Sequence, residues 1–405
     1  MKILMLSWEY PPRIVGGISR VVYDLAQTLA KKGNEVHVVT MWEEGSFDIE
    51  RDKNVTVHRV HTYPINTYNF VDWALQLNFA LAEYATKLIY EYGKFDLVHA
   101  HDWMVAYSAR ILKYSFSIPL ICTIHATEHG RNWGIHNDTQ RFISNVEWWL
   151  AFESWIVIVN SEYMRNEVKN VYNVPADKIN VIHNGVDIDK FNGYEKDMNF
   201  RRRFAGDNEK IIFFVGRLVN EKGAHVLMDA IPKILNYYND AKFIFAGKGP
   251  QSDHLKWLAK IMGVEHKVYF TGYVSDDELL KLYKCTDIAV FPSLYEPFGI
   301  VALEAMLAKV PIVVSETGGL GCIVEHGVDG MKSYTGHSGS LADSILELLH
   351  CPDKAEEIKK NAYKKVVEKY NWDKISAETL SVYQDVLNSA NGWKYDNINN
   401  KIQNI

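Results

Sequence analysis

Short runs rich in β-branched and aromatic residues alternate with longer segments of helical period along this chain, and the alternation runs its course twice. The first series contains KILMLSW, EVHVVT, DLVHAH, PLICTIH, WIVIVN and INVIHNG; the second contains KIIFFVG, AKFIFAG, KVYFTG, IAVFPS and PIVVSE. Amphipathic segments such as SRVVYDLAQTLAKKG separate the runs. A strand followed by a helix returns parallel to its predecessor, and right-handed crossovers then put helices on both faces of the sheet. The pattern predicts two doubly wound, Rossmann-like parallel-sheet α/β domains. A length of 405 residues also exceeds what one ordinary core fills.

The polar stretch containing Arg201, Arg202 and Arg203 divides the two series. It sets a hinge near residues 185–208, an N-terminal domain over 1–190 and a C-terminal domain over 191–371. AEEIKKNAYKKVVEKY is followed by NWDKISAETLSVYQDVLNSA without an intervening strand. The second of these, a helix at about 372–390, either extends the second domain or crosses back, and is grouped with the first. Residues 391–405 are polar and asparagine-rich and read as a loosely ordered tail. No repeat of solenoid period is present.

Hydrophobic content of 47% with 23% charged residues describes a soluble globular chain, and a net charge of −6 supplies no basic field for nucleic acid. Cys122, Cys285, Cys322 and Cys351 show no paired spacing, which argues against a zinc ribbon or a disulfide framework and fits a reducing cytoplasm. Glu9 interrupts the short apolar run after Lys2, so MKILMLSWEYPP does not read as a signal peptide. Other apolar runs, such as WIVIV, fall far below the ~20 residues that cross a bilayer. A soluble cytoplasmic protein without a transmembrane segment is expected.

In open parallel sheets, ligands bind outside the carboxyl ends of the strands. The chain's unusual residues fall there: Gly16 and Gly17; His101, Asp102 and Trp103; His125; Gly216 and Arg217; Gly247 and Gly249; Glu296; and Gly318 and Gly319. Gly16 and Gly17 precede a helix whose positive end suits phosphate, although an ordinary βα turn has the same appearance. Neither a Walker sequence nor G-x-G-x-x-G is present. In GRLVNEKGAHVLMDAI, Arg217 and Lys222 flank a loop entering a helix, where two cations could hold a diphosphate and stabilise it as a leaving group; the alternative is two solvated surface cations. In SLYEPFGIVALEA, Pro297 and Gly299 put Glu296 in a loop and start a helix near Gly299. Glu304 then lies on an apolar helix, where its carboxylate needs a polar partner such as a sugar hydroxyl.

The spacing of Glu296 and Glu304 matches the E-x7-E motif of retaining glycosyltransferases of the GT-B fold. Gly16/Gly17, His125, Arg217/Lys222 and TGGL at 317–320 match further motifs in the same order. Over essentially its whole length the chain resembles glycosyltransferase family 4, with features shared with bacterial and archaeal glycogen synthases. The resemblance implies two domains facing a central cleft, and a nucleotide-sugar, UDP-glucose or ADP-glucose, as substrate, with no cofactor and no metal. It implies that Arg217 and Lys222 bind the donor diphosphate, that Glu296 contacts hydroxyls of the transferred sugar and that Glu304 binds the ribose. Gly16 and Gly17 would approach the phosphates or sugar, His125 would sit near the sugar C6 hydroxyl, and the backbone of Gly318 and Gly319 would complete the phosphate site; Gly299 is grouped with these donor-binding residues. Glu296, His125, Arg217 and Lys222 form the implied catalytic set, acting by front-face substitution with retention.

HAHDWM at 99–104 resembles the H-x-H-D-W element of glycogen and starch synthases. It implies acceptor binding by His101, Asp102 and Trp103, with an exposed Trp103 indole stacked on glucose, and hence an α-glucan or oligosaccharide acceptor. The lysine those enzymes carry two residues before the glycine pair is Ile14 here, with Arg13 one position out of register, and TIHATEHGRNWG differs from their common loop. Other acceptors are a lipid, a small sugar or a sugar phosphate. Residues 1–190 carry 18 basic and 22 acidic side chains, no excess for anionic membranes. Rival classes are a metal-dependent hydrolase built on His99, His101, Asp102, His125 and His129, which leaves Arg217 and Lys222 idle, and a non-catalytic nucleotide-sugar binder. The aromatic run EWWLAFESW at 147–155 is read as core.

Overall fold

Runs that are apolar at nearly every position become the central strands of two sheets, each buried under helices on both faces. A computed structural model describes residues 1–392. It divides into two compact units, one comprising residues 1–183 with the chain from 372 onward, the other 184–371.

The first unit holds strands β1 (Lys2–Leu6), β2 (Glu35–Met41), β3 (Ile49–Asp52), β4 (Val55–Val60), β5 (Leu97–His101), β6 (Leu120–Ile124), β7 (Ile156–Val159) and β8 (Ile179–Val181). Their order is β3-β4-β2-β1-β5-β6-β7-β8, parallel throughout except for the antiparallel β3–β4 pair. That hairpin was not visible in the periodicity. It turns at Lys53, whose φ is +53°, on an edge where β3 has no buried residue. The last helix, Trp372–Gly392, belongs to this unit, and its buried Tyr383 donates or accepts at His99 Nδ1 over 2.6 Å. The expected polar tail therefore begins inside this helix, and its remainder, 393–405, lies outside the described residues.

The second unit holds β9 (Lys210–Val215), β10 (Ala241–Ala246), β11 (Val268–Gly272), β12 (Ile288–Phe291), β13 (Ile312–Ser315) and β14 (Met331–Ser333), all parallel, in the order β11-β10-β9-β12-β13-β14. Side chains of β9 alternate between two cores: Ile211 and Phe213 join one, Ile212 and Phe214 the other. This period of two is what a strand covered on both faces requires. The three-residue β14 carries too little pattern to be read from sequence. The unit boundary falls at 183/184, ahead of the expected 190/191, because the intervening segment packs on the second unit. Val186 N–H donates to Tyr370 O over 2.8 Å, and the Phe191 ring is buried against Tyr283, centroids 5.9 Å apart.

Candidate active site

Strand order reverses in the second unit at β9 and β12, neighbours whose chain connections run to opposite sides of the sheet. The loops leaving their carboxyl ends carry Arg217, Lys222, Glu296 and Gly299 among the expected donor residues. After β9 the chain passes Arg217 and makes a short turn, Asn220–Lys222, before the helix Ala224–Tyr237. Gly223 between them has φ +68°, and a Cβ there would lie 1.9 Å from Pro292 O, so only glycine lets this turn press against the β12 loop. Glu221 O accepts from Leu294 N and Tyr295 N, tying the two loops together.

That strap brings Lys222 to Glu296. The ammonium lies 2.6 Å from Glu296 Oε2, with the side chains 23% and 11% exposed, a charge-assisted bond with one face open to solvent. Arg217 is not part of this pair. Its guanidinium is 52% exposed and reaches Glu221 Oε1 at 3.1 Å across the turn, a surface contact that costs little to break.

Gly299 caps the helix Ile300–Leu307, as expected from Pro297 and Gly299. Glu304 on that helix is buried, and protein groups already meet its carboxylate: Lys190 Nζ is bonded to Oε1 and the Tyr283 hydroxyl lies 3.3 Å from Oε2. The polar partner that sequence reasoning assigned to a ligand hydroxyl is thus supplied in part by the fold. Gly319 also differs from expectation. Gly319 N–H donates to Glu296 O over 2.7 Å, and a Cβ on Gly318, at φ +51°, would lie 2.0 Å from that same oxygen. The glycine pair packs backbone on backbone behind Glu296, and the Gly319 N–H is spent inside the protein instead of facing a phosphate.

In the first unit, Gly16 caps the helix Gly17–Lys31 without any side-chain cap. The approach to that helix is shaped by Glu9, which sequence reasoning did not single out: its Oε2 accepts from Val15 N at 2.7 Å and Gly16 N at 3.0 Å. Burial raises the Glu9 pKa against those two bonds. An acid at the end of a strand, a few residues ahead of a glycine pair, is the signal that would have found it. Ile14 is 45% exposed beside this turn, whereas Arg13 is turned away to Glu43, 2.5 Å, and to the face of Trp8.

At the ends of β5 and β6, His101 Nδ1 and His125 Nε2 lie 3.1 Å apart, and Asp102 Oδ1 accepts the His125 N–H over 2.8 Å. Asp102 takes φ +61°, a left-handed conformation costly for a non-glycine residue, held by that bond. Burial lowers the His99 and His125 pKa values to about 3 and raises that of Asp102 to about 6, so both imidazoles are neutral near pH 7. His101 Nε2 is buried without a partner.

Trp103 contradicts its assigned role as a stacking platform. It is 7% exposed, belongs to the core and meets Phe70 edge-on at 5.9 Å. The reading of EWWLAFESW as core fails for Trp148 and Phe152, which are exposed and stacked on each other at 5.6 Å. The hydrolase reading loses its ligands, because His99 is bonded to Tyr383 and Thr123 and His101 to His125. Among the described residues no group of three His, Cys, Asp or Glu side chains is placed to hold a metal.

Comparison with known proteins bears on the family and the fold. The family model described as Glycosyltransferase Family 4 matches residues 15–190, and that described as Glycosyl transferases group 1 matches residues 195–365. An uncharacterised glycosyltransferase of Methanocaldococcus jannaschii is 43% identical over 95% of this chain and 98% of its own. Glycogen synthase of Mycobacterium tuberculosis is 33% identical over 95% and 94% of the two chains. The crystal structure of Anabaena HepE in complex with UDP and glucose superposes with a TM-score of 0.75, at 25% identity, over 94% of this chain and 99% of that one. With both halves of the sequence matched and both sheets of the expected kind, the chain belongs to glycosyltransferase family 4 and has the GT-B architecture.

Proposed function

We propose that the protein is a retaining hexosyltransferase that moves glucose from a nucleotide-sugar donor, UDP-glucose or ADP-glucose, to an α-glucan or oligosaccharide. The observation that carries the reading is the Lys222–Glu296 pair, 2.6 Å long, at the carboxyl edge of a parallel sheet beside a helix start. A donor diphosphate entering there meets Lys222, already desolvated on one side, and Arg217, which can leave its weak contact with Glu221. Their charge is felt most as the C1–O bond to the β-phosphate breaks and negative charge grows on the departing oxygen. Glu296, freed in part from Lys222, orients hydroxyls of the sugar.

Glu296 and Glu304 are each engaged by a lysine, which does not suit either as a free nucleophile for double displacement. Front-face substitution fits better. The acceptor oxygen bonds to C1 on the face the phosphate leaves, its proton passes to the departing β-phosphate oxygen, and the anomeric configuration is kept. Two cations and a helix terminus supply the charge stabilisation, so the reaction needs no resident cofactor. We place this chemistry in a reducing cytoplasm, where the exposed Cys322 and Cys351 remain thiols; no described helix is long and apolar enough to cross a membrane.

The glucan acceptor draws on the glycogen synthase relative and on HAHDW at the end of β5. A second reading, a small sugar or sugar phosphate as acceptor, is favoured by the burial of Trp103, which removes a stacking surface for a glucan chain. The test is a matrix of ADP-, UDP- and GDP-sugars against glycogen, maltooligosaccharides, simple sugars and sugar phosphates, with the anomeric configuration of the product read by NMR. Transfer to glucans with retention supports the first reading and transfer only to small acceptors the second. Inversion refutes the mechanism, and no transfer from any nucleotide-sugar refutes the function.

A further inference from the structure

The segment NGVDIDKF, residues 184–191, looks like a connector, yet it is folded tightly onto the second unit. Asp189 N–H donates to Asp187 Oδ1 at 3.0 Å, Lys190 N–H to Asp187 O at 3.1 Å, and Asn192 N–H to Asp189 O at 2.9 Å. The Phe191 side chain anchors this turn by packing edge-on against Tyr283 in the core. With its backbone pinned on both sides, Lys190 extends inward to Glu304. Tyr283, the residue that anchors Phe191, also directs its hydroxyl at the other oxygen of the same carboxylate.

We propose that Lys190 is a positioning residue for the donor's ribose, holding the Glu304 carboxylate charged and correctly turned to receive ribose hydroxyls. The inference rests on the nucleotide-sugar reading above, together with the ribose contact that the family resemblance implies for Glu304. The physical need follows from burial. The Glu304 side chain is 4% exposed on a helix otherwise made of Ile, Val, Ala, Leu and Met, and an ionised carboxylate left there unpaired is expensive. A neutral carboxyl would carry a proton where an acceptor is needed, and Lys190 is a cation fixed on one carboxylate oxygen, whereas the Tyr283 hydroxyl, 3.3 Å from the other, lies equally close to Val301 O. The lysine is itself 20% exposed and so reaches Glu304 from the solvent side.

The predicted signature is loss of discrimination between ribose and deoxyribose, which a purely structural lysine would not produce. Binding of UDP, ADP and their 2′-deoxy counterparts is measured by calorimetry for wild type, Lys190→Met, Lys190→Gln and Lys190→Arg, with circular dichroism to report folding. We expect wild type to prefer the ribonucleotide, and Lys190→Met or Lys190→Gln to bind it about tenfold or more weakly while binding the 2′-deoxy form nearly as wild type does. Lys190→Arg should restore most of the preference. If folded Met and Gln variants keep the wild-type ratio, or lose both nucleotides equally, the inference is overturned while the nucleotide site stands. If wild type binds no nucleoside diphosphate, the nucleotide-sugar reading falls and this inference with it.

Discussion

Replacing Lys222 by alanine should separate the structural and chemical consequences of one ion pair. The Lys222–Glu296 contact is 2.6 Å long between side chains 23% and 11% exposed. It is too sheltered for the ~0–1 kcal/mol of an exposed pair and too open for the ~3–5 kcal/mol lost when a fully buried pair is broken. A charge-assisted bond of this kind contributes about 1.5–3 kcal/mol, so Lys222→Ala should lower unfolding free energy by about 2 kcal/mol, because Glu296 is left sheltered without its cation. Glu296→Gln added to it removes the stranded charge and should recover at least half of that loss. Activity should not recover: removing one preorganised stabiliser of a developing anion costs about a hundredfold or more in turnover. Urea unfolding and initial rates with the preferred nucleotide-sugar, run on the two single variants and the double, measure both effects. Near-wild-type turnover in Lys222→Ala refutes its role on the diphosphate, and a double variant no more stable than Lys222→Ala refutes the stranded-charge argument.

Arg217→Ala should also cut kcat/KM by about a hundredfold while leaving the unfolding midpoint unchanged, since its guanidinium is half exposed and its ion pair is with Glu221 on the surface; a loss of stability matching the loss of activity counts against this. Trp103→Ala should cost about 3–5 kcal/mol of stability as a large core side chain is deleted, and the enzyme that remains folded should show an unaltered acceptor KM, which a saturation series with the active acceptor checks. Burial lifts the Glu147 pKa from 4.5 to about 8, against hydrogen bonds from Tyr172 and Glu128 N. The native state therefore holds a proton that the unfolded chain has lost, and stability should fall as pH rises from about 4.5 to about 8; Glu147→Gln should flatten that part of the curve, and an unchanged slope in denaturant midpoints at pH 5 and 8.5 would reject the assignment.

Much of the scaffold was legible because its strands are buried on both faces. Such strands read as largely apolar runs, and KILML, LVHAH, LICTI, IIFFV and IVVS could be placed from their alternation with helical segments. The carboxyl edges followed from chain direction, and with them the neighbourhood of Gly16, His125, Lys222 and Glu296. The β3–β4 hairpin and β14 were missed for the converse reason, since a short edge strand with one exposed face carries little pattern. Sequence reasoning erred most where it assigned a direction to a side chain. Trp103 sits at the strand end where a sugar platform was expected, but its ring turns inward to Phe70.

The repertoire was written in the residue order: two parallel sheets, glycine turns at their carboxyl ends, and a small set of charged residues delivered to those turns. Tertiary structure decided the partners. Glu296 faces Lys222 across 74 residues, Glu304 faces Lys190 across 114, and His99 meets Tyr383 across 284. Periodicity states which face of an element is buried, because burial is a property of each position along its own strand or helix. A pairing between distant side chains depends on how two elements are rotated and spaced once packed, and that is set by the whole core. The bonds of Glu9 to the Gly16 turn in the first unit, and of Lys190 and Tyr283 to Glu304 in the second, became visible only when each fold brought these side chains to the atoms they hold.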